Sequence, residues 1–276
     1  MVSLPHRNRH VVALLGRFGN QLFQYSFAKW LARETHREVR LDLAMTRTVG
    51  IAGTDEFIRA VNELAIRGSR GFPAPGGRLG PLGGYLRKAL GPDRVVIDVS
   101  ASGMDNEDFS RPAWWVGYWQ QLRFAEVARD ELRGLLEIAP VRGNGPQRIA
   151  VHVRRGDYVD LGLALSPDWY RTAVHTALGM TGQDAEVEVV SDDPAWCRDN
   201  LQFDVPFSVA SQATPLDHFR RMAHADVMVA SASTYSWWAG FLGQGQVLYP
   251  RDQFVLPIPR LWYPVPLSGP PGRDVR

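Results

Sequence analysis

The sequence contains almost no cysteine and no long apolar run. Cys197 is the single cysteine among 276 residues, which excludes an internal disulfide and a cysteine-based zinc site and indicates a reducing compartment. No run approaches the ~18 apolar residues of a transmembrane helix. The amino-terminal residues are polar and basic, without the apolar core of a signal peptide. We therefore expect a cytoplasmic protein with at most peripheral contact at the inner face of the membrane.

Net charge and metal-binding patterns are also scarce. The formal net charge is +2 at pH 7 and no block of Lys or Arg occurs, which argues against a nucleic-acid-binding surface. The chain has no Asp-x-Asp motif and no His or Cys pair at metal-ligand spacing. An anionic ligand must therefore be bound locally by arginines and backbone amides, and we expect neither a metal nor a cofactor.

The chain is long enough for two domains of ~135 residues, and its two halves differ in regularity. In the first half, strands are predicted at 10–15, 38–43, 94–99 and 114–118, and helices at 21–33 and 124–138. In the second half, strands at 149–153, 187–190, 205–209, 227–230 and 247–249 alternate with helices at 167–178, 194–201, 215–224 and 235–242. This alternation predicts a parallel, doubly wound sheet, in which ligands bind at the carboxyl ends of the strands.

Three segments lack a regular pattern. Residues 67–92 are rich in glycine and proline, which predicts a long loop or arm. Residues 141–147 are a predicted linker, and the prolines of 257–270 favour an extended surface segment. The predicted domains are therefore residues 1–140 and 148–276.

The strongest functional signal lies at the first strand of the second half. Residues 149–153 alternate as a half-buried strand, and Gly156 predicts a turn after it. The strand end carries His152, Arg154, Arg155 and Asp157. Arginine binds phosphate oxygens through a planar fork of N–H donors and keeps its charge, so this segment predicts an anion site. The alternative is a surface Arg–Asp ion pair beside a core histidine.

Carboxylates mark the starts of two later helices. Asp193 precedes Pro194 and is a predicted N-cap, whereas no capping role accounts for Asp192. Asp217 is either a first-turn acid that interacts with the helix dipole or an acceptor for the two adjacent N–H donors of guanine. Asp192 and Asp217 are therefore candidate binding residues.

Two loops can bind an anion through backbone amides. In the second half, the loop before the helix at 235–242 carries Ser231, Ser233, Thr234 and Ser236. Hydroxyls and amides at a helix start suit an anion, although Ser and Thr there are also ordinary caps. In the first half, the glycines of 16–21 let amides approach a ligand, and Asn20 is a predicted helix N-cap. A third segment, 114–121, is dense in aromatic rings that either stack on sugars or fill a core.

Together these segments resemble one known family. Residues 16–25 (GRFGNQLFQY), 117–120 (GYWQ), 152–158 (HVRRGDY), 191–193 (SDD) and 233–239 (STYSWWA) are similar, in this order, to motifs of the bacterial alpha-1,2-fucosyltransferases of glycosyltransferase family 11. The resemblance implies an α/β fold of the GT-B type, with two Rossmann-like domains facing each other across a cleft. It also implies transfer of L-fucose from GDP-fucose, with inversion and without a metal, to a glycan hydroxyl, expected to be the 2-OH of a terminal galactose.

The resemblance implies roles for individual residues. It places the acceptor at domain 1–140 and GDP-fucose at domain 148–276. The residues expected to bind the donor are His152, Arg154, Asp192, Asp217, Ser233, Thr234, Ser236, Arg17, Phe18, Gly19 and Asn20. The residues expected to bind the acceptor are Trp115, Tyr118, Trp119 and Gln120. The residues expected to be catalytic are Arg154, Arg155 and Asp157. Asp157 and Asp160 are candidates for the base, and Asp157 is alternatively an ion-pair partner of the arginines.

The chain departs from the family in three places. Arg17 and Phe18 replace the usual Gly-Leu, as in related enzymes that modify proteins; Ala232 stands where Asn is usual; and residues 67–92 are atypical. The expected acceptor is a galactose-terminated oligosaccharide or a lipid-linked glycan. The alternatives are transfer to a protein Ser or Thr, transfer to another sugar, and a non-catalytic module that binds a nucleotide sugar or a glycan.

Overall fold

The structure is a computed structural model that describes residues 8–47, 50–51, 53–65, 94–98, 108–138, 145–210 and 213–267. The chain forms two compact units, Met1–Leu136 and Glu137–Arg276. The whole arm predicted at 67–92, and residues 141–144 of the predicted linker, lie outside the described residues. Each unit contains a parallel sheet with helices, so the expected α/β fold class with two Rossmann-like units is confirmed.

The described part of the first unit contains four strands and three α-helices. In chain order they are β1 (His10–Ala13), α1 (Phe18–Thr35), β2 (Val39–Asp42), α2 (Asp55–Leu64), β3 (Val95–Asp98), β4 (Trp114–Gly117) and α3 (Leu122–Leu135). The strand order is β2-β1-β4-β3, and every pairing is parallel. A short 3₁₀ turn covers Ala44–Arg47.

An aromatic cluster forms the core of the first unit. The ring of Phe27, on α1, stacks on that of Trp119 at 4.4 Å between centroids and meets Trp115 and Phe124 edge-on. All four side chains are fully buried. Burial of such rings stabilises the unit by about 2–3 kcal/mol each. The aromatic segment at the end of β4 therefore serves the core.

The second unit contains six strands and five α-helices in its described part. In chain order they are β5 (Arg148–Val153), α4 (Gly156–Asp160), α5 (Pro167–Thr181), β6 (Glu186–Ser191), α6 (Pro194–Asn200), β7 (Phe207–Val209), α7 (Pro215–Ala223), β8 (Val227–Val229), α8 (Thr234–Leu242), β9 (Gln246–Pro250) and β10 (Trp262–Val265). The strand order is β10-β9-β8-β5-β6-β7, all parallel. Because β5 lies between β8 and β6, its carboxyl end is flanked by the ends of both neighbours.

The alternation of β5 determines which residues reach the site. Ile149, Val151 and Val153 pack into a core that includes Trp169 and Ala173 of α5. His152 falls on the opposite face by the period-two geometry of a strand, and Arg154 follows the last strand residue. The hydrophobic face thus fixes the register that places the polar residues at the carboxyl edge.

Two local expectations were wrong. Gly156 begins α4 instead of a turn, and the N-cap position of α1 is Arg17 because the helix already begins at Phe18. Helix α2 lies in a part of the first half for which no element was predicted, and β10 lies within the segment predicted to be extended. The α2 pattern is short, and β10 contains Pro264, which only an edge strand accepts readily.

Candidate functional site

The carboxyl edge of the second sheet gathers the central predicted residues. Arg154 follows β5, Asp192 follows β6, and Ser231 lies just beyond β8, on three adjacent strands. Asp192 and Ser231 follow Arg154 by 38 and 77 residues along the chain, yet parallel strand pairing brings all three to one edge of the sheet. The segments that follow β5, β6 and β8 therefore lie together within this unit, as the sequence predicts.

Arg154 is enclosed by two carboxylates and a ring. Its guanidinium forms ion pairs with Asp157 and with Asp192, whose Oδ2 lies 2.6 Å from Nη1. The guanidinium carbon lies 5.5 Å from the ring centroid of Tyr158, within cation–π range. Only 17% of the side chain is exposed. The guanidinium is therefore held in a defined orientation at the strand end.

Arg155 turns toward a different element. Its guanidinium carbon lies 3.7 Å from the ring centroid of Trp196, and its Nε lies 3.4 Å from Asp193 Oδ2. Asp193 also accepts a hydrogen bond from the Trp196 amide, which confirms its predicted role as the N-cap of α6. Arg155 thus fastens the end of β5 to the start of α6.

Asp192, for which no capping role was predicted, has a structural role in the fold. Besides its ion pair with Arg154, its Oδ1 accepts a 2.8 Å hydrogen bond from the backbone N–H of Arg155. A Cβ placed on Gly156 would lie 2.7 Å from Asp192 Oδ2, so a glycine is needed where α4 begins. Asp192 therefore holds both the side chain of Arg154 and the backbone that follows it.

The charge of this cluster differs from the concentration of positive charge expected from the sequence. Two arginines and three aspartates leave it with a net charge of −1 at neutral pH. A guanidinium has five N–H donors, and each carboxylate contacts one terminal nitrogen of Arg154. A phosphate must therefore share Arg154 with the aspartates or displace one of them.

His152 is a buried, neutral imidazole. Its Nδ1 lies 2.8 Å from the hydroxyl of Ser231, and its ring centroid lies 5.5 Å from that of Tyr235. Burial, with the charge of Arg154 and the neighbouring His218 as smaller causes, lowers the pKa of His152 to about 3. The residue therefore carries no charge near pH 7, and it can meet a nucleotide only through hydrogen bonds and packing.

The loop between β8 and α8 is tied down by its own hydroxyls. Ser233 caps α8 by accepting from the Tyr235 amide at 3.3 Å, and Ser236 donates to the carbonyls of Ser231 and Ser233. Ser231, Ser233 and Ser236 are buried, and Thr234 is half-buried. The capping alternative is therefore confirmed for Ser233, and any anion contact here relies on backbone amides and Thr234.

Asp217 closes a capping box at the start of α7. Its Oδ2 accepts from the amide and the hydroxyl of Thr214, while the Thr214 hydroxyl accepts from the Asp217 amide. The hydrogen bond from the Thr214 hydroxyl is the main reason that the pKa of Asp217 lies below its ordinary value. The structural alternative is thus confirmed, and recognition of guanine by Asp217 stays a prediction.

The glycine-rich loop of the first unit is built around Gly16. This residue has φ +72°, and a Cβ there would lie 2.7 Å from Asn20 Nδ2. Phe18 is buried against the ring of Phe57, and Gly19 is buried as well, whereas Arg17 is exposed. The ring of Phe18 therefore packs in the core of the first unit, and the expected role of this residue in donor binding stays a prediction.

Two buried glutamines hold this loop, and sequence reasoning missed both. Gln24 Oε1 accepts from the Leu15 amide and its Nε2 donates to the Gly117 carbonyl, each at 2.9 Å. Gln21 Nε2 donates to the carbonyls of Gly16 and Gly50. Two amide side chains on an otherwise apolar helix face were the signal, because a buried amide needs partners.

The expected acceptor residues separate into two classes. Trp115 and Trp119 are 0% and 1% exposed, as the core alternative predicts, and their role in acceptor binding stays a prediction. Tyr118 and Gln120 are half-buried, and Gln120 Nε2 donates to Asn20 Oδ1 at 3.1 Å. Trp119 adopts φ +53°, a left-handed conformation that is uncommon for a bulky residue.

Other features of the described residues do not identify a ligand-binding site. A cavity of about 430 Å³ lies at the amino ends of β5, β6 and β7, lined by residues that include Arg148, Glu186 and Phe207, away from the carboxyl edge. Within the ranges that the structure describes, no group of three or more His, Cys, Asp or Glu could hold a metal ion. None of the helices described is long and apolar enough to cross a membrane.

Comparison with known proteins gives a family match. Residues 101–250, more than half of the chain, match the family model "Glycosyl transferase family 11". A galactoside 2-alpha-L-fucosyltransferase SEC1 of Bos taurus is 32% identical over 50% of this chain and 40% of its own length. A galactoside alpha-(1,2)-fucosyltransferase 2 of Oryctolagus cuniculus is 24% identical over 89% of this chain and 70% of its own. Thus the chain spans well under two thirds of the first of these relatives.

The solved structures that this chain matches share little sequence with it. Fucosyltransferase NodZ from Bradyrhizobium has a TM-score of 0.45 at 12% identity, covering 86% of this chain and 93% of its own. POFUT1 in complex with GDP-fucose has a TM-score of 0.47 at 14% identity, covering 93% and 97%. The fold described above rests on the sheets of this chain alone.

Proposed function

Because this chain belongs to glycosyl transferase family 11, we propose that it transfers L-fucose from GDP-fucose to a hydroxyl of a glycan acceptor. The observation that carries the proposal is Arg154, held by Asp157, Asp192 and Tyr158 at the carboxyl edge of a parallel sheet. Ligands of such sheets bind at this edge, and a fixed guanidinium suits a diphosphate. The curated relatives named above are alpha-1,2-fucosyltransferases, which supports fucose as the sugar and galactose as the acceptor.

The proposed reaction is a single displacement with inversion. The acceptor oxygen bonds to fucose C1 on the face opposite GDP, the C1–O bond to the diphosphate breaks, and the electron pair leaves with GDP. Negative charge grows on the diphosphate through an oxocarbenium-like transition state. Arg154 stabilises this charge more in the transition state than in the ground state, because the guanidinium is already oriented when the charge develops.

The acceptor hydroxyl must lose its proton to a base, and the ion pairs help to identify which carboxylate is that base. Asp157 is paired with Arg154, which supports its role in holding the guanidinium. Asp160, at the end of α4, is exposed and therefore a better candidate for the base. A positioned base contributes ~10² or more to the rate. We propose no metal, so Arg154, with backbone amides, supplies the stabilisation of the diphosphate.

The remaining donor contacts in the second unit are proposed at the same edge of its sheet. The proposal places neutral His152 beside the nucleotide, Asp217 at the guanine and Thr234 at the phosphates. Arg17 and Asn20, in the first unit, are proposed to contact the fucose and diphosphate. The acceptor is proposed to be a galactose-terminated oligosaccharide or a lipid-linked glycan, modified in the cytoplasm.

The test is a transfer assay with product identification. The protein is incubated with GDP-fucose and lactose, and in parallel with a folded peptide acceptor, and products are identified by mass and by glycosidic linkage. We expect fucosylated lactose with an alpha-1,2 linkage, and equal activity with a chelator present. Activity that a chelator abolishes and magnesium restores would contradict the metal-independent mechanism. Binding of GDP without turnover on any glycan would favour a binding module instead.

A further inference from the structure

Tyr158 connects two loops of the candidate donor site. It lies in α4, four residues after Arg154, and is half-buried. Its hydroxyl donates a 2.9 Å hydrogen bond to the backbone carbonyl of Ala232, in the loop between β8 and α8. The hydrogen bond spans 74 residues of sequence and joins the loop after β5 to the loop after β8.

The same side chain supports Arg154. The guanidinium carbon of Arg154 lies 5.5 Å from the centroid of the Tyr158 ring, while Asp157 and Asp192 engage the terminal nitrogens. The carboxylates fix the direction of the guanidinium in its own plane, whereas the ring limits movement out of that plane. Tyr158 therefore contributes to the site through its ring and its hydroxyl separately.

The bond to Ala232 has an electrostatic consequence for an anionic ligand. The hydroxyls of Ser231 and Ser233 are already engaged, by His152 and by the cap of α8 respectively. The ligand-facing part of this loop is therefore mainly backbone, in which carbonyl oxygens repel a phosphate and N–H groups attract it. A hydroxyl that donates to the Ala232 carbonyl keeps that oxygen bonded to the protein.

We propose that Tyr158 is a positioning residue for the donor diphosphate: its hydroxyl fixes the loop at Ala232 while its ring orients Arg154. This inference rests on the proposed function for the identity of the ligand. It concerns the orientation of the loop backbone, since the Tyr158 hydroxyl donates to the backbone carbonyl of Ala232.

Two substitutions separate the two contributions. Tyr158→Phe removes the hydroxyl and keeps the ring, and we expect the Kd for GDP and the KM for GDP-fucose to rise about fivefold, with kcat nearly unchanged. Tyr158→Leu removes both, and we expect kcat to fall by about tenfold in addition, because Arg154 loses its support. Tyr263→Phe, on the edge strand β10, is the matched control and should change neither quantity.

Amide hydrogen exchange of peptides covering residues 230–236 gives a second readout that needs no activity. We expect exchange in this loop to accelerate at least threefold in Tyr158→Phe at unchanged global stability, and to remain at the wild-type rate in Tyr263→Phe. Unchanged exchange together with an unchanged Kd for GDP would overturn the inference. If the wild-type protein binds no GDP, the proposed function fails, and the exchange measurement alone decides whether Tyr158 positions the loop.

Discussion

At the scale of single residues, the two neighbouring arginines of the central motif have different surroundings. Arg154 is fixed by two carboxylates at the sheet edge, whereas Arg155 stacks on Trp196 and approaches Asp193. The sequence could not distinguish them, because both are permanently charged and adjacent. Asp192, Asp193 and Trp196 lie 38 to 41 positions from the arginine that each of them contacts, and only the fold brings them near.

Removal of Arg154 should reduce transfer strongly. We expect Arg154→Ala to lower kcat/KM for GDP-fucose by about 10² to 10³, the usual loss when one preorganised donor to a developing charge is removed. Arg171→Ala is the matched control, since Arg171 pairs with Asp168 three residues away on the outside of α5. Steady-state kinetics with lactose measures both. Near-normal transfer by both Arg154→Ala and Arg155→Ala would contradict the phosphate assignment.

Removal of Arg155 should lower kcat/KM less than removal of Arg154 does. Removal of the Trp196 ring should lower it by a similar amount. The guanidinium of Arg155 packs on the Trp196 ring, so Arg155→Ala and Trp196→Leu are expected to give similar losses, about tenfold in kcat/KM. The double variant should lose little more than either single variant, because the two changes remove the same contact. Fully additive losses, measured by the same kinetics, would show that Arg155 acts on the ligand by itself.

At the scale of elements, α1 owes its position to amides as well as to apolar packing. Gln24 bridges the loop after β1 and the end of β4, which are 102 residues apart, through two 2.9 Å hydrogen bonds. The two strands are neighbours in the sheet, so one side chain sets the separation of the loops that follow them. The glycine-rich loop is therefore a built structure and not a loose connection.

Loss of this bridge should destabilise the first unit. Gln24→Met keeps the approximate volume but leaves the Leu15 amide and the Gly117 carbonyl without their partner. A buried unsatisfied group costs about 1–3 kcal/mol, so we expect the free energy of unfolding to fall by roughly 2–4 kcal/mol. Urea denaturation measures the change, with Gln202→Met on the exposed surface as the control. A decrease in the free energy of unfolding smaller than that of Gln202→Met would contradict the bridging role of Gln24.

At the scale of the whole molecule, two buried histidines, one in each unit, link stability to pH. Burial is the main cause that lowers the pKa of His10 to about 4 and of His152 to about 3, both from an ordinary value of 6.5. In the unfolded chain both titrate near 6.5. Between pH 6.5 and about 4 the unfolded state therefore binds protons that the folded state excludes.

Stability should consequently fall as the pH is lowered through this window. For His152 the loss is on the order of 3 kcal/mol at pH 4. We expect urea midpoints to decrease steadily from pH 7 to about pH 5.5, above the range in which most carboxylates titrate. His10→Asn, which retains an acceptor for the Trp115 Nε1 that now donates to His10 Nδ1, should flatten this dependence. His175→Asn, on an exposed histidine, should leave it unchanged; equal slopes in all three proteins would contradict the assignment.

The sequence by itself determined most of the elements and the edge at which the site lies. Hydrophobic periods of two and of about 3.6 residues are local, so the alternation from residue 149 onward predicted strands β5 to β9 and helices α5 to α8 to within a few residues, but neither α4 nor β10. The motif residues fell at strand ends, and parallel strands bring such ends to one edge. Helix starts with a Pro after the cap, as at Asp193, were likewise readable from neighbouring residues.

Only the tertiary structure decided which partner each of these residues has. Asp192 holds Arg154, Tyr158 holds Ala232 and Gln24 holds Gly117, although no local pattern joins the members of any pair. Burial of Trp115 and Trp119 likewise depends on rings contributed by α1 and α3. Composition and periodicity specify faces, but a contact between distant residues follows from how strands pair and helices pack. The chemistry of the site is therefore encoded in the motifs, and its geometry arises only from the folded chain.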